Sequence, residues 1–127
     1  MKILKKILLL ICTGVLLISS CKKDAGEIGK KELWGNVTYK NGGTGTETAA
    51  PNAIVHIAYG TTSATTEYNQ TVLADSDGKY SIKGLQKGDY YITGEFIDEH
   101  GFKYTSGGYG VTIKNKKEAL QVDIQLQ

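Results

Sequence analysis

The sequence has no arginine, one proline, one methionine and two cysteines, and no long apolar run beyond its first twenty residues. Without arginine there is no bidentate fork for phosphate or guanine, and the lysines after the first segment are interleaved with acids, so nucleic-acid binding is not expected. Outside that first segment no stretch repeats apolar residues at i, i+3, i+4, which argues against helices. What is abundant is glycine and tyrosine, 16 and 8 residues, set among alternating apolar and polar positions.

The first twenty residues read as a targeting segment. Lys2, Lys5 and Lys6 are followed by an apolar stretch, residues 7–18, too short to span a bilayer comfortably. Ile18-Ser19-Ser20-Cys21 then resembles the bacterial lipobox, in which a branched apolar residue and two small ones place a cysteine for diacylglycerol attachment and cleavage on its N-terminal side. The competing reading is an ordinary secretory signal peptide, or a short membrane anchor, with Cys21 merely nearby. On the lipobox reading Cys12 departs with residues 1–20, Cys21 carries the lipid, and no thiol remains for a disulfide, a metal or a nucleophile. Acyl chains contribute about 0.8 kcal/mol per buried CH₂, so the protein should sit on a membrane without crossing it. The expected location is the bacterial cell envelope, with the outer membrane foremost. Three of the 15 lysines and none of the 13 acids leave with the signal, so twelve lysines face thirteen acids and the mature chain carries −1.

Residues 21–31 read as the lipidated cysteine and a polar tether, and residues 32–127 as the domain. Leu33, Gly35, Val37 and Tyr39 share one face of a first strand, and Val55, Ile57 and Tyr59 one face of a second. Residues 41–52, rich in Gly, Thr and Ala, read as a mobile loop. The stretch 74–92 reads as a β meander, with Tyr80 and Ile82, then Tyr90 and Ile92, at every second place and Asp77-Gly78 and Gly88-Asp89 at the turns. Leu120, Val122, Ile124 and Leu126 alternate with polar residues in a last strand. Seven or eight short strands in about a hundred residues argue an all-β, antiparallel β-sandwich whose core the aromatic residues help to fill.

Asp77-Gly78-x-Tyr80-x-Ile82-x-x-Leu85-x-x-Gly88-x-Tyr90-x-Ile92, with Gly35-x-Val37 and Pro51-Asn52-Ala53-x-Val55 upstream, resembles the carboxypeptidase regulatory-like domain of the transthyretin-like superfamily. The resemblance covers roughly residues 31–127. It implies a seven-stranded prealbumin-like sandwich used as an accessory or interaction module, and says little about activity because the repeated residues are structural. The transthyretin-related hydrolases of the same superfamily rely on histidines, an arginine and a C-terminal Tyr-Arg-Gly-Ser. This chain lacks arginine and ends Ile124-Gln125-Leu126-Gln127, so that activity is not expected.

Asp75-x-Asp77-Gly78 could suggest a calcium loop, but aligned on an EF-hand it places Leu73 and Gly84 where carboxylates are needed, and an Asp-capped β-turn explains it. His56 falls opposite Val55 and Ile57 and should face solvent; Asp98, Glu99 and His100 read as a polar loop tip before a metal site. Nothing assembles a nucleophile with a base or paired carboxylates, so neither an enzyme nor a cofactor is expected. The candidate ligand surface is aromatic: Trp34, Tyr91, Tyr104 and Tyr109, which lie near or opposite the core face or border the Gly-rich loop 106–110. The function expected is a non-enzymatic, lipid-anchored binding or structural module with an envelope protein as partner, or alternatively a glycan-binding lipoprotein. Globomycin should block processing, and Cys21 should carry radiolabelled palmitate; a Cys21→Ala variant that still incorporates palmitate would overturn the lipobox.

Overall fold

The computed structural model describes Gly26, residues 29–116 and residues 118–127. The signal segment 1–20, Cys21 and most of the tether lie outside the described residues. Ten strands follow in chain order: β1 (Lys31–Lys40), β2 (Glu47–Ala49), β3 (Ile54–Tyr59), β4 (Gln70–Leu73), β5 (Lys79–Leu85), β6 (Gly88–Ile97), β7 (Lys103–Thr105), β8 (Tyr109–Ile113), β9 (Ala119–Gln121) and β10 (Ile124–Leu126). They form two sheets of five strands each, face to face as a β-sandwich.

In the first sheet β1 is central. β5 pairs with its first half and β2 with its second, both antiparallel, while β9 and β10 run parallel to it. In the second sheet the order is β4-β3-β6, and the far edge of β6 is shared by β8 along Gly88 to Ile92 and β7 along Glu95 to Ile97. The ten segments therefore fill seven strand positions, three in one sheet and four in the other, which reconciles the seven-stranded expectation with the larger count. Alternation put the right side chains inside: Leu33, Val37, Val55, Ile57, Ile82 and Ile92 are all at most 1% exposed.

Three expectations change. The 74–92 stretch is not a meander, because β4 and β6 belong to the second sheet and β5 to the first, so both turns carry the chain across the sandwich. A side-chain period of two identifies a buried face but not the sheet that owns it. Residues 41–52 are not an open loop: the Asn41 side chain accepts from the N–H groups of Gly43 and Thr44, the Asn41 N–H donates to Thr46, and β2 returns along β1 as a hairpin. The tether is docked at its described residues, since Gln86 N–H donates to the Gly26 carbonyl (2.9 Å), Gly29 N–H to that of Gly84 (2.7 Å), and Lys31 already belongs to β1.

The last strand is interrupted, and the interruption explains Gly35. β9 and β10 keep one register along β1, and the Val122 N–H still donates to the Trp34 carbonyl (2.8 Å), but from the Val122 carbonyl through Asp123 the backbone leaves the ladder. Side chains take over there: Asp123 Oδ1 accepts from the Asn36 N–H (2.9 Å), and the Tyr80 hydroxyl donates to the Val122 carbonyl. That carbonyl comes so close to β1 that a Cβ at position 35 would lie 2.1 Å from its oxygen. Burial, then the nearby Asp123 and Tyr109, push the Tyr80 phenol far above its ordinary range, keeping it a donor. Two backbone hydrogen bonds between Thr105 and Gln127, 3.1 and 2.9 Å, close the same flank of the sandwich. Gly35→Ala is expected to destabilise the fold by roughly 1–3 kcal/mol in urea titration. Gly42→Ala, where a Cβ meets nothing within 4 Å, should leave the midpoint unchanged, and equal midpoints for both variants would contradict the close approach.

Candidate functional site

The four aromatic residues singled out as a ligand surface separate into different roles. Tyr109 points inward from β8, and its hydroxyl accepts from the Gln125 N–H at 3.2 Å. Tyr104 lies against Tyr39 and Phe96, with ring centroids 4.9 and 6.3 Å away. Tyr91 is on the outer face of the second sheet yet only 6% exposed, because the Gly-rich loop roofs it. Its hydroxyl donates to the Gly107 carbonyl (3.1 Å), and a Cβ on Gly108, which has φ +83°, would sit 1.9 Å from that hydroxyl. Tyr91 is therefore withdrawn from the candidate surface, and the loop serves as its cover. Alternation could not show this, since a strand residue opposite the core is still buried when a loop folds back over it.

Trp34 is different. It stands 39% exposed on the outer face of the first sheet, paired with Ser81 on β5 and Gln121 on β9. Polar side chains held by one another surround it. Ser81 Oγ donates to Glu32, while the Asn36 amide (3.4 Å) and Gln121 Nε2 (3.2 Å) both donate to Asp123 Oδ1. Farther along the face Glu47 Oε1 accepts from Thr38 Oγ1 (2.7 Å) and Gln125 Nε2 (3.2 Å). Three carboxylates thus run beside β1, each fixed by neutral donors, with an indole among them. A flat ring flanked by pre-aligned acceptors and amides can stack on one face of a ligand and hydrogen-bond its rim.

A second feature lies at the end of the sandwich where β1 meets β2 and β6 meets β7. A surface groove of about 680 Å³ runs between the two hairpin tips, lined by Asn41, Thr44, His100, Phe102, Tyr104 and Gln127. Phe102, which the sequence did not single out, is 65% exposed there. Asp98 holds the second tip together: Oδ1 accepts from the N–H groups of His100 and Phe102, both 2.9 Å, and Oδ2 from the Tyr104 hydroxyl at 3.2 Å. Partial burial opposes the charge on Asp98, but the bonds from Phe102, His100 and Tyr104, with the His100 ring nearby, hold its carboxyl below the ordinary value.

The remaining titratable candidates are absorbed by structure. Asp75 Oδ1 accepts from the N–H groups of Asp77 and Lys79, both 2.9 Å, and Gly78 turns at φ +76°, which is the capped turn expected. His56 stacks on Tyr68 at 4.7 Å, its Nδ1 lies 2.8 Å from Thr71 Oγ1, and its Nε2 lies 3.8 Å from Glu95. Among the described residues no three His, Cys, Asp or Glu side chains are gathered as metal ligands.

Comparison with known proteins speaks to the fold. No family model matches the chain, and no curated protein does. Solved structures do. A proposed carbohydrate binding protein from Pseudomonas aeruginosa superposes with a TM-score of 0.55 at 16% identity, over 80% of this chain and 91% of that one. A variant of the major pilin subunit of Bacillus cereus gives 0.51 at 14% identity, over 78% of this chain and 30% of the pilin. What they share with this chain is the β-sandwich.

The Asp98 carboxyl titrates below its unfolded value, so its contribution to stability is present above that value and is lost as pH falls through the folded one. Replacing Tyr104 with Phe removes one donor. Carboxyl NMR titration should then find Asp98 closer to the ordinary carboxylate range than in the parent; an unshifted titration would show that the phenol does not reach it.

Proposed function

We propose that this chain is a non-enzymatic, lipid-anchored protein of the bacterial cell envelope whose β-sandwich, of the carboxypeptidase regulatory-like kind, acts as a binding module. The lipobox at Cys21 supports the anchor. The use of the carboxylates supports a non-catalytic role: Asp75 and Asp98 are spent on turns, and Glu32, Glu47 and Asp123 accept from neutral neighbours. The observation that carries the reading is Trp34, a large aromatic left 39% exposed in the middle of a sheet. Hydrophobic burial alone would favour placing it inside.

A glycan is the second reading, and the surroundings of Trp34 favour it. The apolar face of a pyranose ring can lie on the indole while Gln121, Asn36, Asp123 and Glu32 meet its hydroxyls. The proposed carbohydrate binding by the Pseudomonas aeruginosa neighbour is in keeping with this. On a glycan array the protein should be retained by defined glycans, and Trp34→Ala should weaken the best of them about tenfold. Phe102→Ala should match the parent. Retention that survives Trp34→Ala would remove this face from the reading; no retention at all, with crosslinking to one envelope protein, would make a protein the ligand.

A further inference from the structure

Lysines far apart in the chain converge at one end of the sandwich. Lys30 and Lys31 stand at the start of β1, Lys87 lies between β5 and β6, and Lys114 and Lys116 follow β8. Their segments meet: Lys31 pairs with Leu85, Gly88 pairs with Ile113, and Lys31 Nζ donates to the Asn115 carbonyl at 2.8 Å. Lys30, Lys31, Lys87 and Asn115 line one hollow of about 630 Å³. The acids at this end are fewer. Glu32 accepts from Ser81, Asp89 accepts from Thr112, Glu118 sits in the wall of the hollow, and Glu67 lies in the loop after β3, whose Gly60 N–H donates to the Asp89 carbonyl. The opposite end has the reverse balance, with Glu47, Glu95, Asp98 and Glu99 against Lys40 and Lys103. The domain is charged as a dipole although its net charge is small.

The basic end is also where the chain enters. Gly26 is held there, its N–H donating to the Tyr90 hydroxyl (3.1 Å) and its carbonyl accepting from Gln86 (2.9 Å). Cys21 is five residues earlier, a reach of at most about 18 Å. Charges act on a surface only within about a Debye length, ~8 Å at physiological salt, and a short anchor keeps this end near that range.

We infer that the lysine-bearing end is a membrane-docking face for the anionic phospholipid headgroups of the leaflet that holds the anchor. The inference rests on the lipid-anchor reading of Cys21. Each lysine brought to an anionic surface adds to the attraction, and the acidic end is repelled from it. The sandwich therefore stands on its basic end, with the groove of Phe102 directed away from the bilayer and the Trp34 face along its side.

The test uses the lipidated protein, its acylation verified by palmitate labelling, reconstituted in vesicles of phosphatidylglycerol and phosphatidylethanolamine or of phosphatidylcholine alone. A fluorophore is attached at Lys87→Cys or at Glu99→Cys, and a quencher is placed on the lipid headgroups. In anionic vesicles the probe at 87 should be quenched several-fold more than the probe at 99, and the difference should shrink to what the short anchor alone leaves in phosphatidylcholine or at about 0.5 M salt. Adding Lys114→Glu and Lys116→Glu should shrink it in the same way. Equal quenching at the two positions in anionic vesicles would overturn the docking face. A chain that takes up no palmitate would instead overturn the anchor reading.

Discussion

The structure depends on one close approach. The carbonyl of Val122 reaches β1 because position 35 has no side chain, and a Cβ there would lie 2.1 Å from that oxygen. Around this contact the first sheet is completed. β9 and β10 can run parallel to β1 in a single register, the Tyr80 hydroxyl takes the carbonyl that the ladder has lost, and Asp123 turns toward Asn36. Ile124 and Leu126 are then placed over Gly94 of the opposing sheet, where an added Cβ would meet them at 3.0 and 3.2 Å. The two layers interlock there, and in a close-packed interior neither strand has room to shift alone.

Much of this was legible in the sequence, and what escaped did so for identifiable reasons. Alternation located the inner face of every long strand, because burying one face and wetting the other leaves a period of two. It could not assign β5 to the first sheet and β6 to the second, since a turn within a sheet and a turn between sheets use the same Asp, Gly and Lys residues. Nor could it separate Trp34 from Tyr91. Both face away from the core, but only Tyr91 has a loop folded over it, held by the Gly107 carbonyl. Phe102 and the lysine convergence were invisible for a related reason: each depends on which loops share an end of the sandwich. The pairing of β6 with β7 and β8 decides that.

Two kinds of surface therefore coexist on one small domain. The Trp34 face carries three carboxylates and is pre-aligned, because each is already hydrogen-bonded to an amide or hydroxyl. Such a face loses little side-chain freedom when a ligand arrives. The two ends differ instead by charge, and charge acts over distance and orients. Contact chemistry and long-range orientation are assigned to different parts of the fold, so that a change at one need not disturb the other.

The docking of Gly26 on Tyr90 and Gln86 has a mechanical consequence. A pull on the N-terminal side of the chain meets these bonds first and then passes into β1, the middle strand of its sheet. Its hydrogen bonds to β5 on one side and to β9 on the other lie across the direction of that pull, so they are loaded together in shear and not unzipped in turn. Trp34 sits on that same strand. Tension between the N-terminal segment and anything held at the indole would run along a single strand, through a short part of the molecule, with the second sheet engaged only at its edge through the Tyr90 hydroxyl.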